Sequence, residues 1–258
     1  MHLWYGDDSV NEGLLAYIIV GLKEQNLSSF VTDFQKLKTN YELQNNAILH
    51  CRKLFNGSQR EKSPEFKHLD LEAVKKLSAE IVNLCVDYKM PRPIFSCAER
   101  RYFPNKLLKK QRTIKDKNFQ QDEKQGLHLL KNYCLLSLYD SLNKDETKFQ
   151  FHADKLSEKD KCCKNALPVG GTRKRADMPN FILPTTISGK DEDGGIFRIS
   201  QINYEDAPFK EMYEIADLFV YTVTKAICTQ QYNGKDFFLS LYVHINPIRV
   251  LTDFDKRQ

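Results

Sequence analysis

The chain has 258 residues, 41% of them hydrophobic and 11% aromatic, enough for a folded core and too apolar for a disordered chain. Lys and Arg outnumber Asp and Glu by 39 to 34, a mildly basic balance that suits a polyanionic partner without demanding one. No apolar run is long enough to span a bilayer and no secretory leader is visible, so the expected setting is the cytosol, with no membrane partner.

Leu3-Trp4-Tyr5-Gly6 is a short apolar run that ends in Asp7, Asp8 and Ser9. Such a stretch predicts a strand that releases its last polar residues at the rim of a sheet, where α/β folds usually place their chemistry. The same residues also suit an Asp-rich turn, because Asp and Ser bond readily to their own backbone. Leu14 to Leu22 is nearly all apolar and rich in β-branched and aromatic residues, which predicts a second strand. The spacer between the two runs has hairpin length, so the strands are expected to be antiparallel neighbours. Ser28 and Ser29 then read as caps of a helix carrying Phe30, Phe34 and Leu37 on one face.

Ala47 to Cys51 reads as a third strand with His50 near its end, where a lone histidine is more often structural than catalytic. Asp70 caps the next helix, whose apolar side is Leu71, Val74, Leu77, Ile81 and Cys85, and Pro91 and Pro93 stop it. Pro93 to Ala98 reads as another strand. From residue 101 to 124 the chain turns basic, with Lys106, Lys109, Lys110, Arg112, Lys115 and Lys117 among few apolar anchors. A run of this kind is usually a solvated face; its functional reading is contact with phosphates. A helix follows with Leu127, Leu130, Cys134, Leu135, Leu138 and Leu142 along one side.

Phe149 to Lys155 alternates and ends in Asp154, a second predicted strand tip with a carboxylate. Residues 156 to 195 read as a long excursion with room for a short strand at Phe181 to Leu183, holding Arg173, Lys174 and Arg175 and the adjacent Cys162 and Cys163. Zinc sites are built from separated Cys or His pairs, so this cysteine pair does not predict one. The seven cysteines are an odd number and most lie in apolar runs, which fits reduced, buried thiols. Ile196 to Ile202 alternates as the last strand, and the clearest helix follows, with Met212, Ile215, Phe219, Val220, Val223 and Ile227 on its apolar side. Glu214 and Asp217 sit three apart on it, and a carboxylate inside so apolar a segment needs a cation, a donor or a metal. The apolar tail from Phe237 to Ile245 suits strand or helix and ends at a break, Asn246-Pro247.

Two short motifs carry a resemblance: Tyr5-Gly6-Asp7-Asp8-Ser9 at the start, and Ile215-Ala216-Asp217-Leu218-Phe219 in the last long helix. With the element order, an early hairpin and third strand followed by alternating helices and strands, the sequence resembles the ribonuclease-H-like superfamily. More narrowly it is similar to a bacterial and phage family of unknown function, the one numbered thirty-eight hundred, whose second acidic position is usually Glu where Asp8 stands here. The resemblance implies one α/β domain over residues 1–258, a ribonuclease-H-like mixed sheet flanked by helices, with insertions at about 101–124 and 156–195. It implies a metal-dependent nuclease in which Asp7, Asp154 and Asp217 hold Mg²⁺ or Mn²⁺, and in which His50 or Glu214 moves protons or supports the ligands. Asp8 and Ser9 would support the site from outside, and Lys109, Lys110, Lys155, Arg173, Lys174 and Arg175 would hold the nucleic-acid backbone. Binding of nucleic acid or a protein partner without cleavage is the alternative; self-association and the choice between DNA and RNA stay open.

Overall fold

The computed structural model describes residues 2–11, 13–100, 123–141, 148–152, 186–190, 196–202, 207–228 and 234–250. Within them the chain is mixed α/β. Strands β1 (His2–Val10), β2 (Leu14–Lys23), β3 (Ile94–Glu99), β4 (Lys148–His152), β5 (Thr186–Lys190), β6 (Ile196–Ile202) and β7 (Ile248–Arg249) form one seven-stranded sheet in the order β5-β6-β4-β1-β2-β3-β7. The expected hairpin is present: β1 and β2 are antiparallel, with Tyr5 opposite Val20 and Asp7 opposite Ile18. β3 is antiparallel to β2, whereas β4 runs parallel to β1 and β6 parallel to β4. β2, hydrogen-bonded on both sides and covered on both faces, is buried from Leu15 to Leu22, which is why it reads as an unbroken apolar run.

Alternation along the strands sorts the core into two layers. Leu3 and Tyr5 of β1, Ala16, Ile18, Val20 and Leu22 of β2, and Phe95 and Cys97 of β3 join one cluster with helices α1 (Glu24–Asn40), α4 (Leu71–Asp87) and α6 (Glu211–Ile227). Each large side chain buried in this way contributes roughly 1.5–3 kcal/mol. The opposite face receives α5 (Glu123–Ser141), which packs on β2 and β3. There the Cys134 thiol lies 3.2 Å from Ser96 Oγ, and Ser96 donates to the Leu130 carbonyl at 2.7 Å. Two short helices, α2 (Cys51–Phe55) and α3 (Gly57–Lys62), and a late one, α7 (Lys235–Ile245), complete the described elements. No helix among the described residues is long and apolar enough to cross a membrane.

Four sequence expectations are corrected. Helix α1 begins at Glu24 directly after β2, with Lys23 as its cap, so Ser28 and Ser29 lie inside it. Leu27 extends the buried stripe of Phe30 and Phe34 back past the two serines, and Glu24 supplies the acidic first turn. Residues 47–50 are extended in part but belong to no strand, and Cys51 starts α2. Ile196–Ile202 is a strand but not the last, because β7 follows it and pairs with β3. β5 lies inside the stretch read as an excursion.

Other expectations hold with more detail. Asp70 caps α4, accepting from the Ala73 amide at 2.7 Å. The prolines after α4 stand beyond a backbone stop already made: Met90 N–H donates to Cys85 O and Lys89 N–H to Val86 O, with Lys89 at φ 52°. The unassigned tail is α7, closed by Asn246 at φ 45°.

Candidate functional site

Asp7 lies two residues beyond Tyr5 on the sheet face that α6 covers, and Tyr5 packs edge-on against Tyr213 with ring centroids 5.3 Å apart. Asp217 follows Tyr213 by four residues, one helical turn, on α6. Both carboxylates act on the same group, the Cys51 thiol. Burial pushes that thiol well up first, and Asp217, Asp7 and Glu214 push it further. Cys51 is therefore a protonated, unreactive thiol rather than a nucleophile.

Asp217 is fixed from the segment before α2. The Cys51 amide donates to Asp217 Oδ2 at 2.7 Å, and His50 Nδ1 stands 3.4 Å from the same oxygen. The Asp217 side chain is 17% exposed and that of His50 54% exposed, so the pair opens to solvent on the histidine side. Its bond to Asp217 raises the His50 pKa, outweighing burial and the charges of Lys53 and Arg52. Among the described residues, the only ion-pair partner of Asp217 is this histidine.

Glu214, one turn earlier, sits in a different environment. Its two oxygens lie 3.3 and 3.2 Å from Lys38 Nζ, and Oε2 also accepts from the Leu49 amide at 2.8 Å. Lys38 in turn donates to the Ala47 carbonyl and lies over the Phe34 ring. Both charges are buried. Desolvation lifts the Glu214 pKa to about 7 despite the opposing pull of Lys38 and the Leu49 amide.

Asp8 follows on the opposite face of β1, its amide donating to Asp7 Oδ1 at 2.9 Å, while Ser9 returns to the face of Asp7. The sequence-predicted Asp154, Lys155, Lys109, Lys110, Arg173, Lys174 and Arg175, with Cys162 and Cys163, lie outside the described residues. The structure thus brings Asp7, Asp217, His50 and Glu214 to one side of the sheet, and adds two residues that the sequence reading missed. Lys38 was visible in principle, since it falls four residues after Phe34 and eight after Phe30 on a stripe that should be apolar. Cys51 gave no signal beyond an apolar run.

Two hard-oxygen donors from distant parts of the chain suit Mg²⁺ or Mn²⁺ better than a softer ion. They are a pair and not a full set: among the described residues no group of three or more His, Cys, Asp or Glu is assembled to hold a metal ion. The fold and this geometry define a class, a mixed α/β protein with one carboxylate on a central strand and another on the helix that covers it. Beyond that class, the chain matches no family model, no curated protein and no solved structure.

Proposed function

We propose that the chain is a divalent-metal-dependent nuclease on a ribonuclease-H-like scaffold, hydrolysing phosphodiester bonds of nucleic acid. One observation carries the reading: Asp217 on α6 is held by the Cys51 amide beside the half-exposed His50, and Asp7, from the other end of the sequence, lies on β1, the strand that α6 packs against. The scaffold is supported by the antiparallel β1, β2 and β3, by β4 and β6 added in parallel beyond β1, and by a carboxylate-bearing helix against β1. Asp154 enters as the third ligand. β4 sets His152 opposite Tyr5, and Asp154 follows His152 in sequence by the same two residues that separate Asp7 from Tyr5.

In this reading Asp7, Asp154 and Asp217 hold Mg²⁺ or Mn²⁺, whose chemistry is to polarise a phosphoryl oxygen and acidify a bound water. The Cys51 amide keeps Asp217 oriented. His50, with its Nδ1 beside Asp217 and its ring half exposed, holds or passes a proton at the solvent side. Lys109, Lys110, Lys155, Arg173, Lys174 and Arg175 are assigned to the phosphate backbone.

The test is cleavage of single- and double-stranded DNA and RNA with and without Mg²⁺ or Mn²⁺, by the wild type and by Asp7→Asn. Metal-dependent cleavage lost in Asp7→Asn supports the reading; metal-independent cleavage, or cleavage unaffected by the substitution, overturns it. The alternative is a scaffold that binds nucleic acid or a protein without cutting. Binding without cleavage under any divalent condition would select it.

A further inference from the structure

We propose that Lys38 is a positioning residue for this site: its ammonium, paired with Glu214, holds the segment 47–50 against α6 and thereby sets His50 and the Cys51 amide on Asp217. The inference rests on the proposed nuclease only for what the position serves; the positioning itself is legible without any activity.

Buried amides and carbonyls need partners, and in residues 47–51 three of them find side chains instead of a neighbouring strand, while the Ala47 amide bonds the Gln44 carbonyl and the His50 carbonyl begins α2. Lys38 Nζ takes the Ala47 carbonyl, Glu214 Oε2 takes the Leu49 amide at 2.8 Å, and Asp217 Oδ2 takes the Cys51 amide at 2.7 Å. Glu214 and Asp217, three apart on one helix, are separated by a rise of about 4.5 Å. Leu49 and Cys51, two apart, span about 6.7 Å where extended. Side-chain reach makes up the difference, so two carboxylates one turn apart grip alternate amides of the segment.

The outward residues of the same segment are Ile48, 65% exposed, and His50, while Ala47 and Leu49 point inward. Anchoring the inward residues therefore fixes where His50 emerges. Lys38 is the only cation in this arrangement that is itself buried, and it ties α1, the Ala47 carbonyl and Glu214 of α6 at a single atom. Without it Ala47 loses its donor and the buried Glu214 carboxylate its counter-charge, and the strap is left with its two amide contacts alone.

The experiment compares wild type, Lys38→Met, the double variant Lys38→Met/Glu214→Gln and a control, Leu130→Ala. The double variant leaves no lone buried charge and keeps an acceptor for the Leu49 amide, which protects its ability to fold. Leu130 is fully buried on the other face of the sheet, so its truncation destabilises without touching the strap. The readouts are the amide proton shifts and hydrogen exchange of Leu49 and Cys51 in the folded proteins. In both Lys38 variants the Cys51 amide is expected to lose its downfield, carboxylate-bonded shift and to exchange about tenfold faster or more. In Leu130→Ala its shift is expected to stay at the wild-type position.

If the chain cleaves nucleic acid, kcat of the Lys38 variants falls by up to about a hundredfold with KM little changed, because Lys38 does not touch substrate. Absence of cleavage in wild type would remove the nuclease reading and leave the amide test intact. A folded Lys38→Met or double variant with the wild-type Cys51 amide shift and exchange overturns the proposal, and so does a Leu130→Ala variant with the same amide changes.

Discussion

As pH rises through neutrality the wild type should lose stability that a Glu214→Gln variant keeps, although Glu214 forms a buried ion pair. The carboxyl is 7% exposed, lies 3.2 Å from Lys38 Nζ, and has its pKa raised from 4.5 to about 7, chiefly by desolvation. A raised folded-state pKa means that the folded protein binds the proton more tightly than the unfolded chain does. The corresponding stability is fully present below pH 4.5 and is lost as pH rises through about 7. A shift from 4.5 to about 7, at about 1.36 kcal/mol per pH unit, is on the order of 3 kcal/mol. Glu214→Gln keeps the shape and the acceptor for the Leu49 amide but does not titrate.

From about pH 4.5 to above neutrality the unfolding free energy of the wild type should therefore fall relative to that of Glu214→Gln by on the order of 3 kcal/mol, on top of whatever constant offset the variant's unpaired Lys38 adds. Urea unfolding of both, from acid to mildly alkaline pH, gives the difference directly, with other titrating groups cancelling. A wild type that holds or gains stability relative to Glu214→Gln as pH rises would refute the reasoning. The attraction to Lys38 and the Leu49 bond would then outweigh desolvation. The slope with pH and not the offset is the readout, because removing one member of a buried pair leaves the other charge unanswered at every pH.

The His50 imidazole should titrate above its usual 6.5, and Asp217→Asn should bring it back toward that value; the pair's contribution is present while His50 is protonated and is lost as pH rises through the raised pKa. An NMR titration of the ring checks this, and an unchanged midpoint in Asp217→Asn would contradict it. Gly21→Ala should cost about 1–3 kcal/mol, because a Cβ at Gly21 would run into the Trp4 ring lying across from it. Gly57→Ala, with nothing within 4 Å of its Cβ position, should change urea stability by no more than about 0.5 kcal/mol.

The parts of the fold visible in the sequence are those whose hydrogen bonds stay within one element or between sheet neighbours. β1, β2, β3, β4, β6, α4, α5 and α6 follow from apolar periodicity and from a cap such as Asp70, because the period of the sequence matches the backbone geometry of each. Ala47 to Cys51 misled for the opposite reason. Its buried and exposed residues alternate as in a strand, but its amides are satisfied by Glu214 and Asp217, remote in sequence, and no local pattern distinguishes a strand neighbour from a carboxylate as partner. Helix α1 was started late because Ser28 and Ser29 are good caps wherever a helix needs one, and here the chain passes from β2 into the helix at Lys23 without a side-chain cap.

The two acidic residues of α6 show why residue type alone does not assign a role. Both read as candidates for catalysis, and both bond an amide of the same segment, but they sit at different depths. Glu214 is buried, with both oxygens beside Lys38, so its charge is answered inside the protein. Asp217, three residues nearer the helix C-terminus, remains 17% exposed, and its neighbour is a histidine open to solvent. A cation or a reacting group approaching from water would reach Asp217 first and meet Glu214 only through the segment it anchors. On one helical turn, depth rather than chemistry separates the carboxylate that can serve a ligand from the one that holds the framework around it.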